Sequence, residues 1–128
     1  MTHVNNLDQY FGMVLLLFNV VDLNDEASMI AACEGSNYVI HTASPFVMKV
    51  KNVKKDLLNP AIKGTTCVMK GCHKFKVEKV VITSSTVAMI MKNNPKISTF
   101  GPESWSDEKA CDDYSLSKML AEKAAWDF

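Results

Sequence analysis

Residues 14–21 read VLLLFNVV, an apolar run of strand length with no polar alternation. A strand with one wet face alternates apolar and polar residues. One covered on both faces does not, and such strands belong to parallel sheets flanked by helices. Downstream, Asn24 can cap a helix with Asp25 and Glu26 in its first turn, apolar positions at Ala27, Ile30 and Ala31, and Gly35 at its end. The unit is therefore strand then helix.

The alternation continues. Residues 38–42 (YVIHT) predict a second strand, stopped by Ala43-Ser44-Pro45, and residues 79–83 (KVVIT) a third. Between them a long helix is expected over residues 52–75, with Pro60 either starting its main part or kinking it. Residues 93–112 contain Pro95, Gly101 and Pro102 and read as loop, after which Asp112 or Asp113 can cap a last helix. On that helix Leu116, Leu120 and Ala124 form the expected inward stripe, with Tyr114, Lys118 and Ala121 on another side. Strands alternating with helices give an α/β fold with parallel pairing.

Composition bounds the partners. The chain has 128 residues, 48% of them hydrophobic, enough for one domain with a core. Lys plus Arg and Asp plus Glu number 14 each, with no long block of either sign, so no nucleic-acid or anionic-membrane partner is expected. Residues 11–21 are too short to span a bilayer, and they lack the flanks of a signal peptide. The four cysteines, Cys33, Cys67, Cys72 and Cys111, show neither a CxxC nor a zinc-ribbon spacing, which predicts reduced thiols, a cytoplasmic location and no metal. Cys67 and Cys72 diverge on a helix and are expected in the core rather than around an ion with His73.

The chemistry lies in Asp113-Tyr114-Ser115-Leu116-Ser117-Lys118. At i,i+4 spacing the phenol and the ammonium stand on one helical face. A free tyrosine has a pKa near ~10, and a fixed cation lowers it by favouring the phenolate, so the pair can move a proton. The same spacing also arises on an ordinary solvated face. Hydroxyls gather at two strand ends, His41-Thr42-Ala43-Ser44 and Thr83-Ser84-Ser85, where open α/β sheets bind ligands and where Ser and Thr also finish strands as turn residues.

In order, Asp22-Leu23, HTASP, PAIKGT, VVITSS, the loop Trp105-Ser106-Asp107 and YSLSKMLAEKAAWDF closely resemble the extended short-chain dehydrogenase/reductase superfamily. Within it the chain is most similar to the branch of dihydroflavonol 4-reductases and cinnamoyl-CoA reductases. The resemblance covers residues 14–128 and implies a partial NAD(P)-binding Rossmann-type domain of three parallel strands and about three helices, preceded by an extension over residues 1–13. It implies that Ser85 hydrogen-bonds a substrate carbonyl, that Tyr114 protonates it, and that Lys118 binds the nicotinamide ribose and tunes the tyrosine. Asp22 and Leu23 would flank the adenine, while Thr42, Ala43, Ser44 and Thr83 would line the rest of the cofactor. The implied cofactor is NADP(H), with NAD(H) as the alternative, and the implied partner is a small-molecule carbonyl compound.

Departures from the family pattern narrow this. Ile90 stands where plant dihydroflavonol reductases carry an asparagine, which argues against a flavonoid, and residues 105–114 form a loop shorter than the plant enzymes have. Ala61 stands where many short-chain dehydrogenases place an asparagine for proton relay. Gly12, Gly35, Gly64, Gly71 and Gly101 form no GxxGxxG turn, and the resemblance spans only the middle third of such an enzyme. With the family's first two strands absent, the three strands are expected to close up in sequence order with every helix on one face. The other face would be a bare apolar surface suited to self-association. Three readings remain: part of a carbonyl reductase inactive by itself, a silent remnant or interaction module, and an epimerase or hydroxysteroid dehydrogenase of the same superfamily. The Trp105-Ser106-Asp107 loop and the AEKAAW run favour the first over the third.

Overall fold

Two parallel strands, β3 (Tyr38–His41) and β4 (Lys79–Ile82), carry the fold, paired in register from Tyr38 with Lys79 to His41 with Ile82. The computed structural model describes residues 3–6, 15–47 and 50–128. Before the pair come β1 (His3–Asn6), β2 (Leu15–Phe18) and α1 (Glu26–Ala31). Helix α2 (Asn59–Lys74) connects β3 to β4, and α3 (Val87–Ile90) and α4 (Asp113–Trp126) follow. The architecture is α/β, as the alternation predicts.

The parallel sheet has two strands, not three. The run at 14–21 forms only β2, which pairs antiparallel with β1, so the expected three-strand order does not occur among the described residues. Val14 lies outside the described residues, while Val20 is 95% exposed. An unbroken apolar run specifies that a strand is wanted but neither its partner nor its direction, because no alternation fixes a register.

Helix α1 is capped by Asp25, whose carboxylate accepts the Ala27 N–H at 3.0 Å. Asn24, the predicted cap, instead donates its backbone and side-chain N–H groups to Asp22 Oδ1 at 2.8 and 3.1 Å. The expected long helix is a π-helical turn, Lys54–Leu58, running directly into α2. Pro60 therefore sits at the junction of the π-helical turn and α2, where a residue without an N–H leaves one carbonyl of the preceding turn without its helical donor.

The core lies where α1, α2 and the strand pair meet. Met29, Cys33, Cys67, Val68 and Cys72 are buried together, with Leu23, Val39 and Val80 packed against them. Cys67 and Cys72 are core residues, and burial pushes the Cys72 thiol up to about 11, aided by Cys33 beside it. Helix α1 approaches α2 so closely that a Cβ at Gly71 would stand 2.7 Å from Cys33 Sγ and 3.1 Å from the Ile30 carbonyl oxygen.

Within the strand pair, Val39, His41, Val80 and Ile82 turn inward, and Tyr38, Ile40, Lys79 and Val81 turn to solvent. Tyr38, Ile40 and Val81 are 66%, 72% and 51% exposed, giving the bare apolar face that one-sided helix packing implies. Among the described residues no helix is long and apolar enough to cross a membrane, and no cluster of three or more His, Cys, Asp or Glu side chains could hold a metal ion.

Candidate active site

Both parallel strands end at the same rim, and α4, packed against α2 and α3, brings Lys118, Ala121 and Glu122 to it. Its first turn is fixed by Asp112, whose carboxylate accepts the Ser115 N–H at 2.7 Å; that bond holds the Asp112 pKa below the ordinary carboxylate range. With the cap at 112, Tyr114 and Lys118 fall one turn apart. The Lys118 ammonium lies 6.0 Å from the centre of the Tyr114 ring, and Phe46 meets the same ring edge-on at 5.2 Å.

Lys118 reaches a cleft at the strand ends lined by Ala43 and Ser44 after β3, Thr83 and Ser84 after β4, His41 from within β3 and Thr65 from α2. It is only 9% exposed, and burial pulls its pKa below the ordinary amine value. Among the described residues its ammonium has no hydrogen-bond acceptor or carboxylate partner. The side chain is largely covered while its nitrogen keeps contact with the cleft, an arrangement that leaves the ammonium open to an acceptor supplied by a ligand. His41 is buried beside it, and its pKa is pushed down first by burial and then by the Lys118 charge, so it faces the cleft neutral at pH 7.

The predicted site residues separate into groups. Ala43, Ser44, Thr83 and Lys118 share the cleft, with Tyr114 at its side through Lys118. Ser85 is half-buried and directly follows the cleft residue Ser84, and its carbonyl accepts the Ala88 N–H at 3.0 Å to start α3. The Trp105-Ser106-Asp107 loop folds back on that turn: Ser106 Oγ donates to the Val87 carbonyl at 2.7 Å and accepts the Met91 N–H at 2.9 Å. Thr42 is exposed beside the cleft. Leu23 instead packs against Gly64 on α2, and the Asp22 carboxylate is engaged by Asn24.

Six lining residues of the cleft were not among the predicted site residues: His41, Thr65, Ile82, Ser84, Ala121 and Glu122. For His41 the signal was present, since strand alternation puts it on the face of Val39 rather than that of Ile40. The predicted stripe of α4 is a further correction. Ser115, Ser117, Lys118, Met119 and Ala121 are buried, whereas Leu116, Leu120 and Ala124 are half-buried. Small side chains let α4 approach α2 and the strand ends closely, so hydrophobicity alone picks the wrong face.

Comparison with known proteins points to one family. Residues 3–127 match the family described as the 3-beta hydroxysteroid dehydrogenase/isomerase family. Anthocyanidin reductase of Arabidopsis thaliana is 36% identical over 116 residues, a match covering 84% of this chain and 34% of that protein. The NADPH-dependent methylglyoxal reductase GRE2 of Saccharomyces cerevisiae is 40% identical over 102 residues, covering 70% of this chain and 30% of the relative. Among solved structures, yeast methylglyoxal/isovaleraldehyde reductase Gre2 complexed with NADPH superposes with a TM-score of 0.69 at 34% identity, covering 84% of this chain and 36% of that one. The chain thus spans about a third of the length of the curated relatives it matches. With the family match running nearly end to end, and reductases among its relatives, this chain belongs to the 3-beta hydroxysteroid dehydrogenase/isomerase family of the extended short-chain dehydrogenases/reductases.

Proposed function

We propose that residues 14–128 supply the proton-transfer edge of an NADPH-dependent reductase that converts a ketone or aldehyde to an alcohol, in a reducing compartment such as the cytoplasm. The observation that carries this reading is the Lys118 ammonium, unpaired among the described residues and opening on a cleft at the ends of two parallel strands, one turn from Tyr114. The residues present fit the sugar and phosphate end of a nicotinamide dinucleotide: Ser44 and Thr83 offer hydroxyls, and Lys118 offers the charge. NADPH, when bound, supplies the hydride. Tyr114 donates its phenolic proton to the carbonyl oxygen, Ser85 donates a hydrogen bond to the same oxygen, and Lys118 stabilises the phenolate left behind.

Because the chain spans about a third of its relatives, no turnover is expected from it alone. Binding is the test: NADPH titrated against the chain, followed by nucleotide fluorescence, is expected to saturate in the micromolar to millimolar range. No saturation there would remove the reading for this chain.

A second reading is favoured by the exposure of Tyr38, Ile40 and Val81: an interaction module whose bare sheet face pairs with a second copy of the chain. Sedimentation velocity is then expected to give a concentration-dependent dimer. A monomer that binds no apolar dye would count against it.

A further inference from the structure

Ser84 Oγ donates a hydrogen bond to Glu122 Oε2, joining the end of β4 to the middle of α4. Glu122 is one turn beyond Lys118 on the same helix, and Ser84 immediately precedes Ser85, so this single bond spans the two segments that carry the proposed chemistry. Both partners line the Lys118 cleft and also a neighbouring apolar groove floored by Met69, Val80 and Ile82. The second carboxylate oxygen of Glu122 accepts the Trp126 indole N–H at 3.4 Å, which orients the carboxylate from the far side.

We infer that Glu122 is a positioning residue: through Ser84 it holds α4 against the end of β4, setting the height of Lys118 over the cleft and the separation of Tyr114 from Ser85. This rests on the reductase reading for its purpose but not for its physics. A helix packed on its neighbours beside strand ends still needs its functional side chains fixed in height to a fraction of an ångström, and non-directional apolar contacts do not single out one height. A carboxylate–hydroxyl bond is directional and charge-assisted, so it fixes the height at one point. Only an acceptor oxygen is required there. Glutamine keeps one, whereas alanine keeps none.

The experiment reads Lys118 directly. Folded chain is exposed briefly to an amine-acylating reagent at fixed pH, and modification of Lys118 is quantified by peptide mass spectrometry. In Glu122→Ala and in Ser84→Ala the rate at Lys118 is expected to rise about fivefold, the scale of losing one ordinary hydrogen bond, while exposed lysines such as Lys63 and Lys79 stay unchanged. Glu122→Gln is expected to match the unmodified chain, and the double alanine variant to match either single one, because both substitutions delete the same bond. Equal Lys118 rates in the folded alanine variants and the unmodified chain would overturn the inference, as would a glutamine variant as open as the alanine one. If Glu122→Ala does not fold, Ser84→Ala decides. NADPH titration of the same proteins separates the two ideas: no binding by any of them removes the reductase reading, while the acylation pattern still judges the lock.

Discussion

Met119→Ala is expected to lower the free energy of unfolding by about 2–5 kcal/mol, the range for truncating a fully enclosed apolar side chain. Met119 is 0% exposed and lies on α4 between Lys118 and Leu120, where the helix packs against α2 and the π-helical turn. Its neighbours Ser117 and Ala121 are too small to refill the space. Domains of this size hold about 5–15 kcal/mol in all, so a loss of about 3 kcal/mol is a large share and moves the melting temperature down by roughly 10 °C. Chemical denaturation followed by circular dichroism measures it. A change below about 1 kcal/mol would mean that α4 does not lie in a packed interior.

Lys118→Met is expected to move stability and binding in opposite directions. Burial lowers the Lys118 pKa in the folded chain below its unfolded value. Between those two values the unfolded chain binds more protons than the folded one, so stability rises with pH through that window. Below that window the partly desolvated charge is a net cost. Methionine has similar length and no charge, so removing the cost is expected to raise the melting temperature slightly, solvent screening at the cleft keeping the gain small. NADPH binding is expected to weaken at least about tenfold, since the cation proposed to face the ribose and phosphates is gone. A methionine variant that melts earlier, or that binds NADPH as well as the original chain, would show that the ammonium has another role.

Local signals carried most of the fold. The strands at 38–41 and 79–82 each depend on a few adjacent residues and were legible, while the last helix cap was narrowed to Asp112 or Asp113 and the role of Pro60 was left between start and kink. Pairing was not legible. The run at 14–21 lacks the alternation that would fix a face, so its antiparallel partner at residues 3–6 could not be read from it. The site divides in the same way. Tyr114 and Lys118 declare themselves by spacing, whereas Glu122 and Thr65 matter only because α2, α4 and β4 meet, and no spacing along the chain encodes that meeting.

The outward face of the strand pair has a consequence for the life of this polypeptide in a cell. Tyr38, Ile40 and Val81 offer water the kind of extended greasy surface that chaperones bind and that marks a protein for degradation. Abundance would then track how fully that surface is occupied: a covered face lengthens the half-life and an open one shortens it. Replacing Ile40 by a charged side chain would uncouple the amount of protein from its company without touching Tyr114 or Lys118.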